Sequence, residues 1–79
     1  MRVLQLDDLD FCRVEKHSIL TGKQNVMFLP VTEVEIAKWL DKGTLVQDAF
    51  PHLSDSAREF LMSGITPEEW NKAFGQGDD

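Results

Sequence analysis

Hydrophobic and polar residues change their period once along this chain, at Pro30, dividing it into a strand-forming first part and a helix-forming remainder. From Phe11 to Leu20 the sequence FCRVEKHSIL alternates imperfectly, with Cys12, Val14, Ser18 and Leu20 in one phase and Arg13, Glu15 and His17 in the other. Such alternation predicts a strand with one wet face. TGKQ then places a glycine among polar residues, and NVMFLP continues with β-branched and aromatic character. A β-hairpin with its tip near Gly22 is the simplest account. The first ten residues fit a short edge strand or an ordered arm, and Asp7, Asp8 and Asp10 mark a break.

After Pro30 the signals are helical. Thr32 and Glu35 form a T-x-x-E capping box, and Val31 with Ile36 occupy the two positions of a hydrophobic staple, so a helix is predicted from about Glu33 to Lys42, with Gly43 ending it. Ile36, Trp39 and Leu40 share one face, while Glu33, Glu35, Lys38, Asp41 and Lys42 take the wetter side. GTLVQDAFP repeats the grammar on a smaller scale. Thr44 is placed to cap and Gln47 to stand at N3, with Leu45, Val46, Ala49 and Phe50 as an apolar surface before Pro51 forces a stop.

The third helix starts at Ser54 or Asp55 and turns Ala57, Phe60 and Leu61 inward. Gly64 fits its C′ position. Thr66 then reads as the N-cap of a fourth helix, with Pro67 at N1, Glu69 completing the capping box, and Ile65 and Trp70 as the staple pair. This helix is expected over Pro67–Phe74 with Trp70, Ala73 and Phe74 inward. The expected fold is therefore α+β: an N-terminal β-hairpin, with a third short strand if the first residues pair, packed against three to four short helices. Residues 1–75 are expected to form one small domain and residues 76–79 a disordered acidic tail.

Composition narrows the class further. A chain of 79 residues with 42% hydrophobic and 28% charged residues is typical of a globular domain rather than a disordered segment. At this size only roughly 60% of the unfolded surface is buried, which disfavours a deep catalytic cleft. The single cysteine, Cys12, excludes an intrachain disulfide, and His17 and His52 lack further ligands at a zinc-like spacing. The apolar run MFLPV is far shorter than the roughly 20 residues of a membrane span, and MRVLQLDDLD has no apolar signal-peptide core. The expected location is the cytoplasm, without membrane association.

The net charge of −6 is unevenly distributed. Arg13, Lys16 and Lys23 against Glu15 make residues 11–29 basic. From residue 44 onward Asp48, Asp55, Glu59, Glu68, Glu69, Asp78 and Asp79 outnumber Arg58 and Lys72. This excess repels phosphate backbones and disfavours nucleic acid as a general partner.

Candidate chemistry mostly fails its own requirements. TGKQ lacks the first glycine and the terminal hydroxyl of a phosphate-binding loop. Cys12 has a distant histidine but no orienting third group, and a half-buried strand cysteine is the simpler reading. Glu68 and Glu69 sit in the first turn of a helix, where they favour its dipole. A helix-turn-helix reading would aim Pro67, Glu68 and Glu69 at DNA, which their charge opposes. No catalytic residue, cofactor or metal is expected, and the protein reads as a non-enzyme.

The run VQDAFPHLSDSAREFLMSGITPEEWNKAF, preceded by the TGK turn and LPVTEVEIAKW, resembles a group of small uncharacterised proteins encoded by bacteriophages and prophage regions. The resemblance covers residues 18–74 and is strongest at QDAFPHLS and REFLMSGITPEEW, leaving the first seventeen residues outside it. It implies no catalytic or ligand residues. It does imply a small acidic protein that binds a host or phage protein in the host cell cytoplasm; separately, an unpaired outer strand at the hairpin edge offers a site for self-pairing. The alternatives are a nucleic-acid mimic that inhibits a DNA- or RNA-binding protein, using the acids of the last two helices, and a nucleic-acid binder using Arg13, Lys16 and Lys23. Lys16, Lys23, Glu68 and Trp70 are the candidate partner-binding residues.

Thr66→Ala is expected to lower stability by about 0.5–2 kcal/mol through the lost cap, read from the urea midpoint.

Overall fold

The computed structural model describes residues 1–7 and 10–74. The break assigned to Asp8 and the acidic tail assigned to 76–79 lie outside the described residues. Three strands, β1 (Arg2–Gln5), β2 (Cys12–His17) and β3 (Gln24–Leu29), are followed by α1 (Glu33–Lys42), α2 (Val46–Ala49), α3 (Asp55–Ser63) and α4 (Pro67–Phe74). The strands form an antiparallel sheet in the order β1-β2-β3, so the first residues are an edge strand and the fold is a small α+β arrangement.

The register explains which side chains meet. Val14 lies opposite Val3 and Met27, and Cys12 opposite Gln5 and Leu29. Because strand side chains alternate, these residues share one face. Cys12, Val14 and Leu29 are buried there with Ile36 of α1, Phe50 and Leu53 of the α2–α3 connection, and Ala57, Phe60 and Leu61 of α3. On the other face Leu4, Arg13 and Phe28 stand directly opposite one another, and Arg2 and Arg13 lie 3.6 and 3.1 Å from Glu15. Leu4 and Phe28 are both exposed.

The hairpin turns earlier than the alternation predicts. Ser18 is buried, and its hydroxyl accepts from the backbone N–H groups of Leu20 and Thr21 at 3.1 and 3.2 Å. This local bond competes with continuation of the strand, so Ser18 ends it and Leu20 is exposed rather than in phase with Val14. Gly22 occupies the tip with φ +76°, as its position requires.

The helix starts follow local chemistry with one exception. Thr32 Oγ1 accepts from Glu35 N–H at 3.1 Å while Glu35 accepts from Thr32 N–H at 2.9 Å, and Val31 and Ile36 are both buried. Ser54 caps α3 by accepting from Ala57 N–H at 3.1 Å. Thr44, however, does not cap α2. The N-cap is Leu45, which makes no side-chain cap bond, and the Thr44 carbonyl instead accepts from the Trp39 indole N–H at 2.9 Å. That bond holds Thr44 in the connection and starts α2 one residue later, so Gln47 is not at N3.

Leu40 and Leu45 also depart from expectation, since both are exposed. Trp39 fills the end of α1's inner stripe by meeting Phe50 edge-on, with ring centroids 5.8 Å apart. Beyond it stands only the single turn of α2, too short to cover Leu40. Phe50 itself is fully buried.

Gly64 meets two independent demands. It has φ +77°, and a Cβ there would run into the His17 carbonyl and the Ser18 backbone nitrogen; at Gly22 the space is open. Gly64→Ala is therefore expected to cost clearly more than Gly22→Ala, which carries only backbone strain of about 1–2 kcal/mol. Equal shifts of the urea midpoint in the two variants would show that the close approach at Gly64 is not stabilising.

Candidate functional site on α4

The segment Ser63–Thr66 fastens the helical layer to the hairpin, and it does so with polar bonds. Ile19 N–H donates to the Ser63 carbonyl at 3.0 Å, and the buried Asn25 side chain donates to the Gly64 carbonyl at 2.9 Å. Ser63 Oγ bonds both the Glu59 carbonyl and its carboxylate at 2.9 and 2.8 Å. Thr66 then caps α4: its hydroxyl accepts from Glu69 N–H at 3.2 Å, and Glu69 accepts from Thr66 N–H at 3.4 Å. The same glutamate reaches the hairpin, where Thr21 Oγ1 donates to it at 2.8 Å.

Glu69 is thus more than a cap. Hydrogen bonding from the Asn25 side chain, followed by that from Thr21, Ser18 and the Thr66 backbone, holds its carboxyl below the ordinary glutamate value and outweighs a desolvation that acts in the other direction. Cys12 shifts the opposite way. Burial pushes its thiol up, with Glu33 and Glu35 adding to the effect, and the thiol lies 3.5 Å from Gln5 Oε1. A thiol held protonated in this way is a packing group rather than an activated nucleophile.

These tethers act on the end of α3, the turn and the first turn of α4, and none of them is made by the last turn of α4. Trp70 is 45% and Phe74 52% exposed, and Ala73 is exposed as well, which corrects the expectation that this face is inward. Phe60, Leu61 and Phe50 already fill the adjoining core, whereas the staple partner Ile65 is buried. Trp70 and Phe74, one helical turn apart, pack on each other with ring centroids 4.4 Å apart.

Two grooves flank this helix. One, of about 320 Å³, lies between α3 and α4, with Ile65, Pro67 and Trp70 as apolar lining and Asp55, Glu59 and Asn71 among its polar lining. The other, of about 340 Å³, lies between α4 and the hairpin turn and contains Leu20, Lys23, Glu68, Lys72 and Ala73. Both volumes are at the lower end of those that receive a ligand or an anchoring side chain.

The candidate residues are therefore divided. Trp70 lines the first groove, and Lys23 and Glu68 come together in the second. Lys16 is in neither groove: it sits half-buried on β2, opposite Asn25. Arg13 and Lys16, an odd number of positions apart, face opposite sides of the sheet. Asn25 and Thr21 belong to the site but did not stand out in the sequence, and Asp55 and Glu59 were read only among the acids of the last two helices, not as neighbours of Trp70. The i,i+4 spacing of Asp55 and Glu59 placed them on one helix side, yet nothing local indicated that α4 would lie alongside.

Among the described residues no group of three or more His, Cys, Asp or Glu side chains is arranged to hold a metal ion. Among the same residues no helix is long and apolar enough to cross a membrane. No family model, curated protein or solved structure matches the chain.

Since the folded pKa of Glu69 is lowered, its contribution to stability is present above the ordinary value of 4.5 and is lost as pH falls through the folded value. Urea midpoints measured from pH 7 down to pH 3 should fall less steeply for Glu69→Gln than for the unmodified protein; parallel curves would remove Glu69 from this role. Trp70→Ala, at a half-exposed site, should cost less than about 2 kcal/mol, against roughly 3–5 kcal/mol for the fully buried Phe60→Ala.

Proposed function

We propose that this protein is a non-enzymatic binding module that holds one protein partner through the exposed face of α4. One observation carries the reading: Trp70 stands nearly half exposed at a groove of about 320 Å³, on a helix positioned by polar bonds rather than by burial of its aromatic side. Tryptophan supplies a large apolar surface at small entropic cost and is enriched among residues that dominate binding energy. With the resemblance to phage and prophage proteins, the partner is a host or phage protein in the host cytoplasm.

The alternatives fit the arrangement less well. A nucleic-acid mimic needs its carboxylates displayed on one face, but Glu69 is engaged by the hairpin and Glu68 lies across α4 from Asp55 and Glu59. Asp78 and Asp79 lie outside the described residues. A nucleic-acid reader on the hairpin would need Arg13 and Lys16 on a common face, which the strand period opposes. Self-pairing through a hairpin edge keeps some support, because β1 and β3 are both edge strands.

Affinity capture from host or infected-cell lysate tests the proposal when run with three forms: unmodified, Trp70→Ala and Leu45→Ala. Leu45 is an apolar residue even more exposed than Trp70, and it lines neither groove beside α4. A near-stoichiometric partner should be retained by the unmodified and Leu45→Ala forms and bound roughly thirtyfold more weakly by Trp70→Ala, as expected of a dominant contact. Identical capture by Trp70→Ala would overturn the assignment.

A further inference from the structure

We infer that the groove between α3 and α4 receives a cationic amphipathic segment of the partner, with one aliphatic or aromatic side chain against Trp70 and lysine or arginine residues beside it. The inference rests on the reading of α4 as a docking face and adds the chemistry of what docks there.

The two grooves beside α4 differ in charge, although they are similar in volume. The hairpin-side groove sets Lys23 and Lys72 against Glu68 and Glu69, so its lining is balanced. The α3-side groove carries Asp55 and Glu59 with no cationic residue in its lining. Arg58 reaches Asp55 at 2.6 Å from the same helix, yet the Asp55 side chain remains almost wholly exposed. Glu59 accepts from Ser63 Oγ through one carboxylate oxygen and is also exposed.

Ile65, Pro67 and Trp70 supply the apolar part of the same groove. An apolar floor with an acidic rim accepts an apolar anchor flanked by positive charge and repels an acidic or phosphorylated segment. The exposed indole of Trp70 adds a π-face on which a guanidinium or ammonium group is attracted. The acidic balance of residues 44–79 acts in the same direction over a longer range and speeds encounter with a basic partner.

The test uses Trp39→Phe protein, in which Trp70 is the remaining tryptophan, and three short model peptides. The first is an amphipathic helix of lysine and leucine, the second has glutamate in place of lysine, and the third has serine in place of leucine. The lysine–leucine peptide should shift Trp70 emission to the blue in a saturable manner that weakens with salt, and the other two should not. Glu59→Gln keeps an acceptor for Ser63 and should reduce that affinity about two- to fivefold, the range of one exposed ion pair; Asp41→Asn on α1 should leave it unchanged.

Equal binding of the glutamate–leucine peptide, absence of any Trp70 shift with the lysine–leucine peptide, or equal losses in Glu59→Gln and Asp41→Asn would each overturn the cationic assignment. These failures are distinguishable from failure of the docking face itself, which is read from capture by Trp70→Ala.

Discussion

The backbone of Gly64 lies directly against the end of β2, and the placement of the end of α3 and of α4 after it depends on that approach. The absence of a side chain lets the turn come within reach of the His17 carbonyl. Once there, Ile19 and Asn25 bind two successive carbonyls of the turn, Ser63 and Gly64. Residues about forty positions apart are thereby held by one main-chain bond and one bond from a buried side-chain amide. The left-handed conformation that lets Gly64 end α3 also aims the chain into α4.

From this contact follows the division between covered and exposed apolar surface. The sheet's inner face, α1 and α3 enclose a core centred on Phe50, Phe60 and Leu61. α4 is fastened through Thr66 and Glu69, so its orientation is settled before its aromatic side finds cover. Among the described residues no further element covers Trp70, and an aromatic surface is left exposed. The proposed function is thus a consequence of how the turn is anchored rather than of any catalytic group.

Much of the secondary structure was legible from local signals. The capping box at Thr32, the serine cap at Ser54 and the sequence Gly64–Ile65–Thr66–Pro67 marked α1, α3 and α4 because capping bonds join residues three positions apart. The same reasoning failed at Thr44, where the Trp39 indole uses the carbonyl and shifts the helix start. It failed at Ser18 through a competing local bond, and at Leu40 because the facing element is a single turn. Of the candidate site, Trp70 was identifiable by type and spacing. Asp55 and Glu59 became its neighbours only because α3 and α4 line one groove.

By itself the sequence determined where α1, α3 and α4 begin, that Gly64 breaks one and Thr66 starts the next, and that Cys12, Val14, Ile36, Phe60 and Leu61 are inward. Those outcomes depend on bonds and periodicities within a few residues, which any chain segment carries with it. The tertiary structure alone decided that Glu69 binds the hairpin as well as its own helix and that the aromatic side of α4 is exposed. It also decided that one groove is balanced in charge and the other acidic. Burial and groove charge depend on which distant segments arrive at a surface, and an amphipathic pattern states only that an apolar side exists, without stating what covers it.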